Sequence, residues 1–353
     1  MGPIACSYYV TTVCNAKCGF CDIWEGPARL KPKLLPIEQS ARILQGLKRI
    51  GVRYVDFTGG EPLLCKNLPE LLREAKGLGL RTGLVSNGFL YPAKAKQLSG
   101  LVDSMSFSLD SADRDRHNAS RKLNCYDRVL ESIATARQMK QFVNINFSVG
   151  NENLDEIPGM AQLAKDLKVV VHIMPVFSYF DNPALQRDYI AALRSLFGKP
   201  YLSVNLAALR FQEEGGNDPA KPKCKAISAN VAVSPDGKYY LPCYHAAVEK
   251  VPISEDALTQ WKSPEMEEHR RKAGKYDFCK GCTIWCYMTP SFMYTVDRYF
   301  LLQAYSYAHT GVKMSFRRVQ DALEFGRQRA LEPPTVCPSE ARVPVESGTA
   351  AED

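Results

Sequence analysis

No stretch of the 353-residue chain approaches the roughly 20 consecutive apolar residues that a membrane-spanning helix needs, so no transmembrane segment is expected. Nor does a clustered Lys/Arg stripe accompany the net charge of +7, which is spread along the chain, so nucleic acid is not an expected partner. A cysteine motif begins at residue 14, too near Met1 for a signal peptide to precede it, and the expected location is cytoplasmic. No internal repeat is apparent. What is present is ordinary globular composition, 45% hydrophobic and 24% charged, enough to bury a large core in one barrel-sized domain and a smaller one. The 12 cysteines would suggest disulfides in a secreted protein, whereas in a cytosolic one they suggest metal or redox chemistry.

Three of those cysteines stand close together in Cys14-Asn15-Ala16-Lys17-Cys18-Gly19-Phe20-Cys21, a CxxxCxxC spacing. Three thiolates within eight residues can wrap one soft metal centre, and iron-sulfur clusters are held by clustered thiolates. A cluster that only carries electrons usually has four protein ligands. Three leave one iron open for a small molecule, the open-position logic that separates catalytic from structural zinc. The competing readings are an incomplete zinc ribbon or a disulfide cluster, but zinc knuckles favour CxxC pairs in twos and no second pair lies within the next 30 residues.

The same eight residues, with aromatic Phe20 before the last cysteine, resemble the signature of the radical S-adenosylmethionine (radical SAM) enzymes. The resemblance implies a 4Fe-4S cluster on Cys14, Cys18 and Cys21, SAM on the open iron, and a reductant such as flavodoxin or ferredoxin. It also implies reductive cleavage of SAM to a 5'-deoxyadenosyl radical that abstracts hydrogen from a substrate.

Downstream, apolar Ile37, Ala41, Leu44, Leu47 and Ile50 recur at helical spacing after Pro36, and Gly51 closes that helix. Strand Arg53–Phe57, a helix from Leu68, strand Arg81–Val85, strand Ser104–Leu109, helix Tyr126–Met139 and strand Val143–Val149 follow. Helix Leu154–Leu167, strand Val169–Val176 and helix Pro183–Leu196 complete about six strand-helix units. This alternation predicts a parallel sheet with helical crossovers, open or closed into a barrel. Ser104–Asp110 and Val143–Val149 alternate polar with apolar residues, whereas strands covered on both faces should be almost continuously apolar. One face therefore meets water or lines a wet lumen. The resemblance implies the latter, in a partial (β/α)6 TIM-type barrel with its site at the carboxyl ends of the strands.

Thr58-Gly59-Gly60-Glu61-Pro62 follows the second strand. Paired glycines admit close backbone approach, and Glu61 can accept from an ammonium group. The stretch is similar to the family's GGEP motif, which binds the SAM amino group. Ser86-Asn87-Gly88 resembles the family's turn near SAM, and Ser108 and Asp110 match polar positions that meet its ribose or methionyl part. Arg121 lies where a basic residue commonly pairs with the SAM carboxylate, with a surface arginine as the alternative; Asn146 is a further candidate.

Beyond Pro200 the polar stretch Gln212–Pro219 reads as a loop or linker. A second cysteine group follows: Cys224, Cys243, Cys279, Cys282 and Cys286. Asn230–Pro242 reads as a β-hairpin around Pro235-Asp236-Gly237, which brings distant cysteines together. The region resembles the SPASM and twitch auxiliary-cluster domains, but departs from the roughly seven cysteines of the longer pattern. The shorter form, with one auxiliary 4Fe-4S cluster, is expected, and which of the five cysteines is not a ligand stays open; a four-thiolate zinc site is the alternative. Cys6, Cys65, Cys125 and Cys337 stand alone, and His245 reads as an incidental hairpin residue.

The expected divisions are a core barrel over 1–211, an auxiliary domain over 212–290, a helical segment over 291–332 and a disordered tail over 333–353. In the helical segment, Phe292, Met293, Tyr294, Tyr299, Leu301, Tyr305 and Tyr307, then Met314, Phe316 and Phe325, carry more apolar surface than one packing stripe needs. Either these helices pack across the open side of the barrel, or they form a pocket or membrane-surface contact for a greasy substrate. The substrate is not identified: peptides, small molecules and lipids all suit the resemblance. An electron carrier or cluster scaffold without radical chemistry is the competing class, and the GGEP loop and polar lumen argue against it.

Overall fold

A computed structural model describes residues 2–25, 35–177 and 185–311. The strands are β1 (Ala5–Thr11), β2 (Tyr54–Gly59), β3 (Arg81–Ser86), β4 (Ser104–Ser108), β5 (Val143–Val149), β6 (Val170–Pro175) and β7 (Leu202–Ser203), followed by β8 (Asn230–Val233), β9 (Lys238–Leu241) and β10 (Glu249–Pro252). They form one sheet in the order β10-β9-β8-β1-β2-β3-β4-β5-β6-β7. From β1 through β7 each neighbouring pair is parallel. The crossover helices α1 (Ile37–Ile50), α2 (Leu68–Gly77), α3 (Tyr91–Leu98), α4 (Arg114–Arg121), α5 (Tyr126–Gln138), α6 (Ile157–Asp166) and α7 (Arg187–Ser195) connect them. This is the expected mixed α/β partial barrel. The first two residues of the expected helix at 183–196 lie outside the described residues.

Helical periodicity explains the crossovers. In α1 the residues Ile43, Leu44, Leu47 and Ile50 are buried against the sheet, each contributing about 1.5–3 kcal/mol. Its end is set by Gly51, whose φ of 122° only glycine takes without strain. Two of these crossover helices were not expected. In α4, eight residues rich in Arg, Asp, His and Asn show no apolar stripe, and the helix is held by its Asp113 cap, which accepts from the Arg116 N–H at 2.9 Å. Short α3 begins with Pro92 in its first turn, which reads as a breaker until its place in the helix is known.

The hairpin formed by β8 and β9 is antiparallel as expected, but it is not a separate layer. Strand β8 pairs in parallel with β1, through Ala5↔Asn230 and Tyr8↔Val233. The division expected near residue 211 therefore falls within one compact unit, residues 1–310. In the expected helical segment, a helix runs through residues 298–311. It lies along β7 and the start of α8 (Leu206–Glu213): Asn205 donates to Gln303 Oε1 at 2.8 Å and the Leu206 N–H to Ser306 Oγ at 3.1 Å. Phe292 and Tyr299 stack in a second apolar cluster with Phe211. Met314, Phe316, Phe325 and the tail lie outside the described residues. No described helix is long and apolar enough to cross a membrane.

Candidate active site and a second cysteine site

The cysteine loop leaves the end of β1 after a register shift between Tyr9 and Thr11. Its backbone is sewn to two neighbours. On one side the Gly60 N–H donates to Thr11 O and the Glu61 N–H to Val13 O, both at 2.9 Å. A Cβ on Gly59 would lie 2.0 Å from Thr11 O, and one on Gly60 2.2 Å from Val13 O, so the two strand-end loops approach this closely only because both residues are glycine. On the other side the Lys17 N–H donates to Arg121 O at 3.1 Å and the Gly19 N–H to Ser120 O at 3.4 Å, which makes α4 the second anchor.

Buried Glu61 joins these loops to the turn after β3. Its carboxylate accepts from the Leu63 N–H, from Ser86 Oγ at 2.8 Å and from the Asn87 N–H at 2.8 Å, while Pro62 opens a short 3-10 turn behind it. Burial raises the Glu61 pKa, and those hydrogen bonds pull against the rise. Its side chain is thus committed to positioning the loops. Asn87 then reaches Asn15 within the cysteine loop at 2.7 Å.

Buried Asp110, beyond β4, accepts from Arg121 Nε and from the Ser148 N–H, and its own N–H donates to His117 Nδ1. Arg121 also points Nη1 at Cys18 Sγ, 3.8 Å away, and its guanidinium lies 5.2 Å from the centre of the Phe20 ring. Burial disfavours the guanidinium, but Asp110 and Cys18 outweigh it and keep the charge. Arg121 is therefore buried rather than a surface arginine, and its partners here are Asp110 and Cys18. Ser108 pairs in register with Asn146 on β5. Burial pushes the Cys14 and Cys21 thiols up to about 11, so loading a metal centre must displace protons.

Below these loops a cavity of about 910 Å³ fills the barrel, lined among others by Asp56, Ser104, Ser106, Asn146 and His172. The alternation in β4 and β5 does place polar groups in a lumen. Met293, Tyr294 and Tyr307 also line it, so the aromatic segment closes part of the barrel and contributes a wall.

The second cysteine group divides cleanly. Cys224, Cys243, Cys279 and Cys282 line one small apolar cavity with Phe278, Tyr287 and Met288. Burial drives their thiols upward, Cys243 to about 12 and Cys282 to about 11. Cys286 does not line that cavity. It is the second residue of α9 (Trp285–Ser291), and its accessible surface faces the barrel lumen. Lone Cys6 lines the lumen too, while Cys125 lies against His117 at 3.3 Å. His245 is half-buried among Phe177, Tyr244 and Tyr287.

Asn217, read from the sequence only as part of a linker, organises the four-cysteine site. Its amide donates to Gly274 O and Cys279 O and accepts from the Lys223 and Cys224 N–H groups. Its N–H and C=O pair with Cys282 O and the Gly281 N–H. Replacing it by alanine keeps the backbone pairs but leaves the four partners of its side chain unpaired, at about 1–3 kcal/mol each. An Asn217→Ala protein is expected to lose whatever the four cysteines hold while keeping the N-terminal site, read as metal content per chain.

A sequence model described as "Radical SAM superfamily" matches residues 8–164. A protein named GTP 3',8-cyclase from Chlorobaculum tepidum is 30% identical over 182 residues, 49% of this chain and 53% of that one. Another GTP 3',8-cyclase, from Desulforamulus reducens, is 30% identical over 225 residues, 61% of this chain and 68% of that one. The chain belongs to the radical SAM superfamily. Its cofactors are accordingly a 4Fe-4S cluster and SAM, as expected from the cysteine motif. The chain spans about half the length of the curated radical SAM relatives it matches first. SuiB of Streptococcus suis, in a structure described as bound to precursor peptide SuiA, shares the fold with a TM-score of 0.63 at 17% identity, over 84% of this chain and 74% of that one. The structure described as anSMEcpe with bound AdoMet gives 0.59 at 17% identity, over 90% of this chain and 99% of that one.

Proposed function

We propose that the chain is a radical SAM enzyme whose catalytic cluster is held by Cys14, Cys18 and Cys21, whose substrate occupies the lumen, and whose second 4Fe-4S cluster is held by Cys224, Cys243, Cys279 and Cys282. When bound, the catalytic cluster supplies one electron to the sulfonium of SAM, giving methionine and a 5'-deoxyadenosyl radical that takes a hydrogen atom from substrate. Glu61 fixes the GGEP loop and the Ser86-Asn87-Gly88 turn as one rigid rim around the cysteine loop. Backbone of that rim, with Ser108 and Asn146, would hold SAM. Arg121, balanced by Asp110, offsets negative charge beside Cys18 and, with Phe20 stacked near it, shields that side of the centre.

The observation that carries this reading is that the barrel bearing the open three-cysteine loop at the end of β1 also encloses a cavity of about 910 Å³, largely apolar with a few polar groups, among them Asp56, Ser106, Asn146 and His172. An electron carrier has no use for such a cavity, which is of a size that encloses a small ligand. Cys224, Cys243, Cys279 and Cys282 would hold a cluster that serves electron transfer or substrate binding, and a reductant such as flavodoxin or ferredoxin would supply the electrons.

The curated relatives act, by name, on GTP. No Lys or Arg is among the described residues lining the lumen, so nothing described there answers a triphosphate. Anaerobic incubation of reduced, iron-loaded protein with SAM and with GTP or peptide-containing extract, following 5'-deoxyadenosine, tests the reading.

A further inference from the structure

We infer that Asp56, with Tyr54, is the specificity-determining group of the lumen and receives a positively charged nitrogen of the substrate, a protonated amine or guanidinium. The inference rests on the reading of the lumen as a substrate site and names the chemistry that site selects.

Tyr54 and Asp56 are alternate residues of β2, so both side chains leave the same face, the one that lines the cavity. Asp56 lies two residues before Thr58, about 6.6 Å of strand below the GGEP loop and thus one side-chain layer deeper than the rim. In register it sits between Ser7 on β1 and Gly83 on β3. Gly83 is the telling neighbour. A Cβ there would lie 1.8 Å from the Tyr54 hydroxyl and 2.6 Å from an Asp56 carboxylate oxygen, so the side chain missing from β3 is what gives the pair its place. Gly83 has no left-handed backbone to require glycine, which leaves space as the reason.

The carboxylate so housed has little to satisfy it. Among the described residues its hydrogen-bond partner is the Tyr54 hydroxyl, at 3.5 Å. Among the described residues no Lys or Arg lines the cavity, and His172 across the lumen is kept neutral by burial, its pKa held down to about 4. Cys6 and Cys286, the thiols that sense Asp56, are themselves disfavoured as thiolates by burial. Asp56 is then the one carboxylate of the described lining, with its pKa pushed up to about 6 by burial. An enclosed carboxylate with no counter-charge is costly to keep, and a ligand cation is the group that relieves it. Trp285, Tyr294 and Tyr307 also line the cavity, aromatic residues of the kind that receive cations.

The test uses fully iron-loaded protein with saturating SAM and three probes: benzylammonium, benzoate and GTP, each titrated by ligand-observed NMR. Benzylammonium is expected to bind at least about tenfold more tightly than benzoate, with GTP weaker still. Asp56→Asn should erase that preference at unchanged iron content, and Tyr54→Phe, which keeps the carboxylate, should retain it. Benzoate or GTP binding as tightly as benzylammonium would overturn the inference in the wild-type protein alone, whatever the variants do. A preference that survives Asp56→Asn, or that appears only when SAM is omitted and so assigns the carboxylate to the cofactor, would overturn it equally. SAM cleavage is scored separately in the same preparation: its absence beside an intact amine preference counts against the radical chemistry and leaves the cation site standing.

Discussion

Alanine at Cys224 is expected to lower iron from about eight to about four per chain, whereas alanine at Cys286 should leave all eight. The expectation follows from where the five thiols point. Cys224, Cys243, Cys279 and Cys282 share one apolar cavity, and a cluster that loses one of four thiolates is left with an open iron in that cavity. Cys279 and Cys282 lie on and just beyond a short 3-10 turn, but the chain straightens at Ile284 before α9 begins, and that change of direction carries Cys286 away to the lumen. Iron and sulfide analysis of anaerobically purified variants reads the difference. A Cys286→Ala protein with only four irons would make Cys286 a ligand and contradict the division. Zinc in place of iron at the four cysteines would leave the N-terminal site intact and remove the second cluster.

Cys18→Ala should reduce 5'-deoxyadenosine formation to background while about four irons remain on the C-terminal cysteines. A three-thiolate site has no ligand to spare, and Cys18 is the sulfur beside Arg121. Because Lys17 and Gly19 keep their bonds to α4 through backbone alone, the loop should persist without the thiol, and the loss should be chemical rather than structural. Thermal unfolding monitored alongside iron content separates the two. A Cys18→Ala protein that still forms 5'-deoxyadenosine from SAM would show that this loop does not hold the catalytic cluster.

The fold was legible where one face of an element is apolar. Leu44 and Leu47 in α1 and the alternation of Ser104 to Ser108 in β4 each announce their period, and the elements lie within a few residues of the expected bounds. Helix α4 was not legible because all its faces are polar: its value lies in backbone carbonyls offered to the cysteine loop, which carry no side-chain signal. The pairing of β8 with β1 joins residues more than 200 apart, and nothing local to either strand marks it.

At the site, cysteine spacing singles out the three-cysteine loop as the candidate, but spacing cannot tell that a cysteine one residue into a helix faces a different cavity from its neighbours. Asn217 looked like a loop residue because asparagine is common in loops, and its bonds run to chain segments some sixty residues on. Asp56 looked like one polar residue of a half-buried strand. Only the vacancy over Gly83 on the next strand distinguishes it from Ser104 or Ser106.

The central claim is that the three-cysteine loop holds a cluster that reductively cleaves SAM, and single-turnover product analysis tests it most directly. Iron-loaded wild-type protein is reduced anaerobically, given SAM, and analysed by mass spectrometry. The account requires 5'-deoxyadenosine and methionine in equal amounts, dependent on the reductant. Intact SAM recovered from fully reduced protein that carries about eight irons would contradict it.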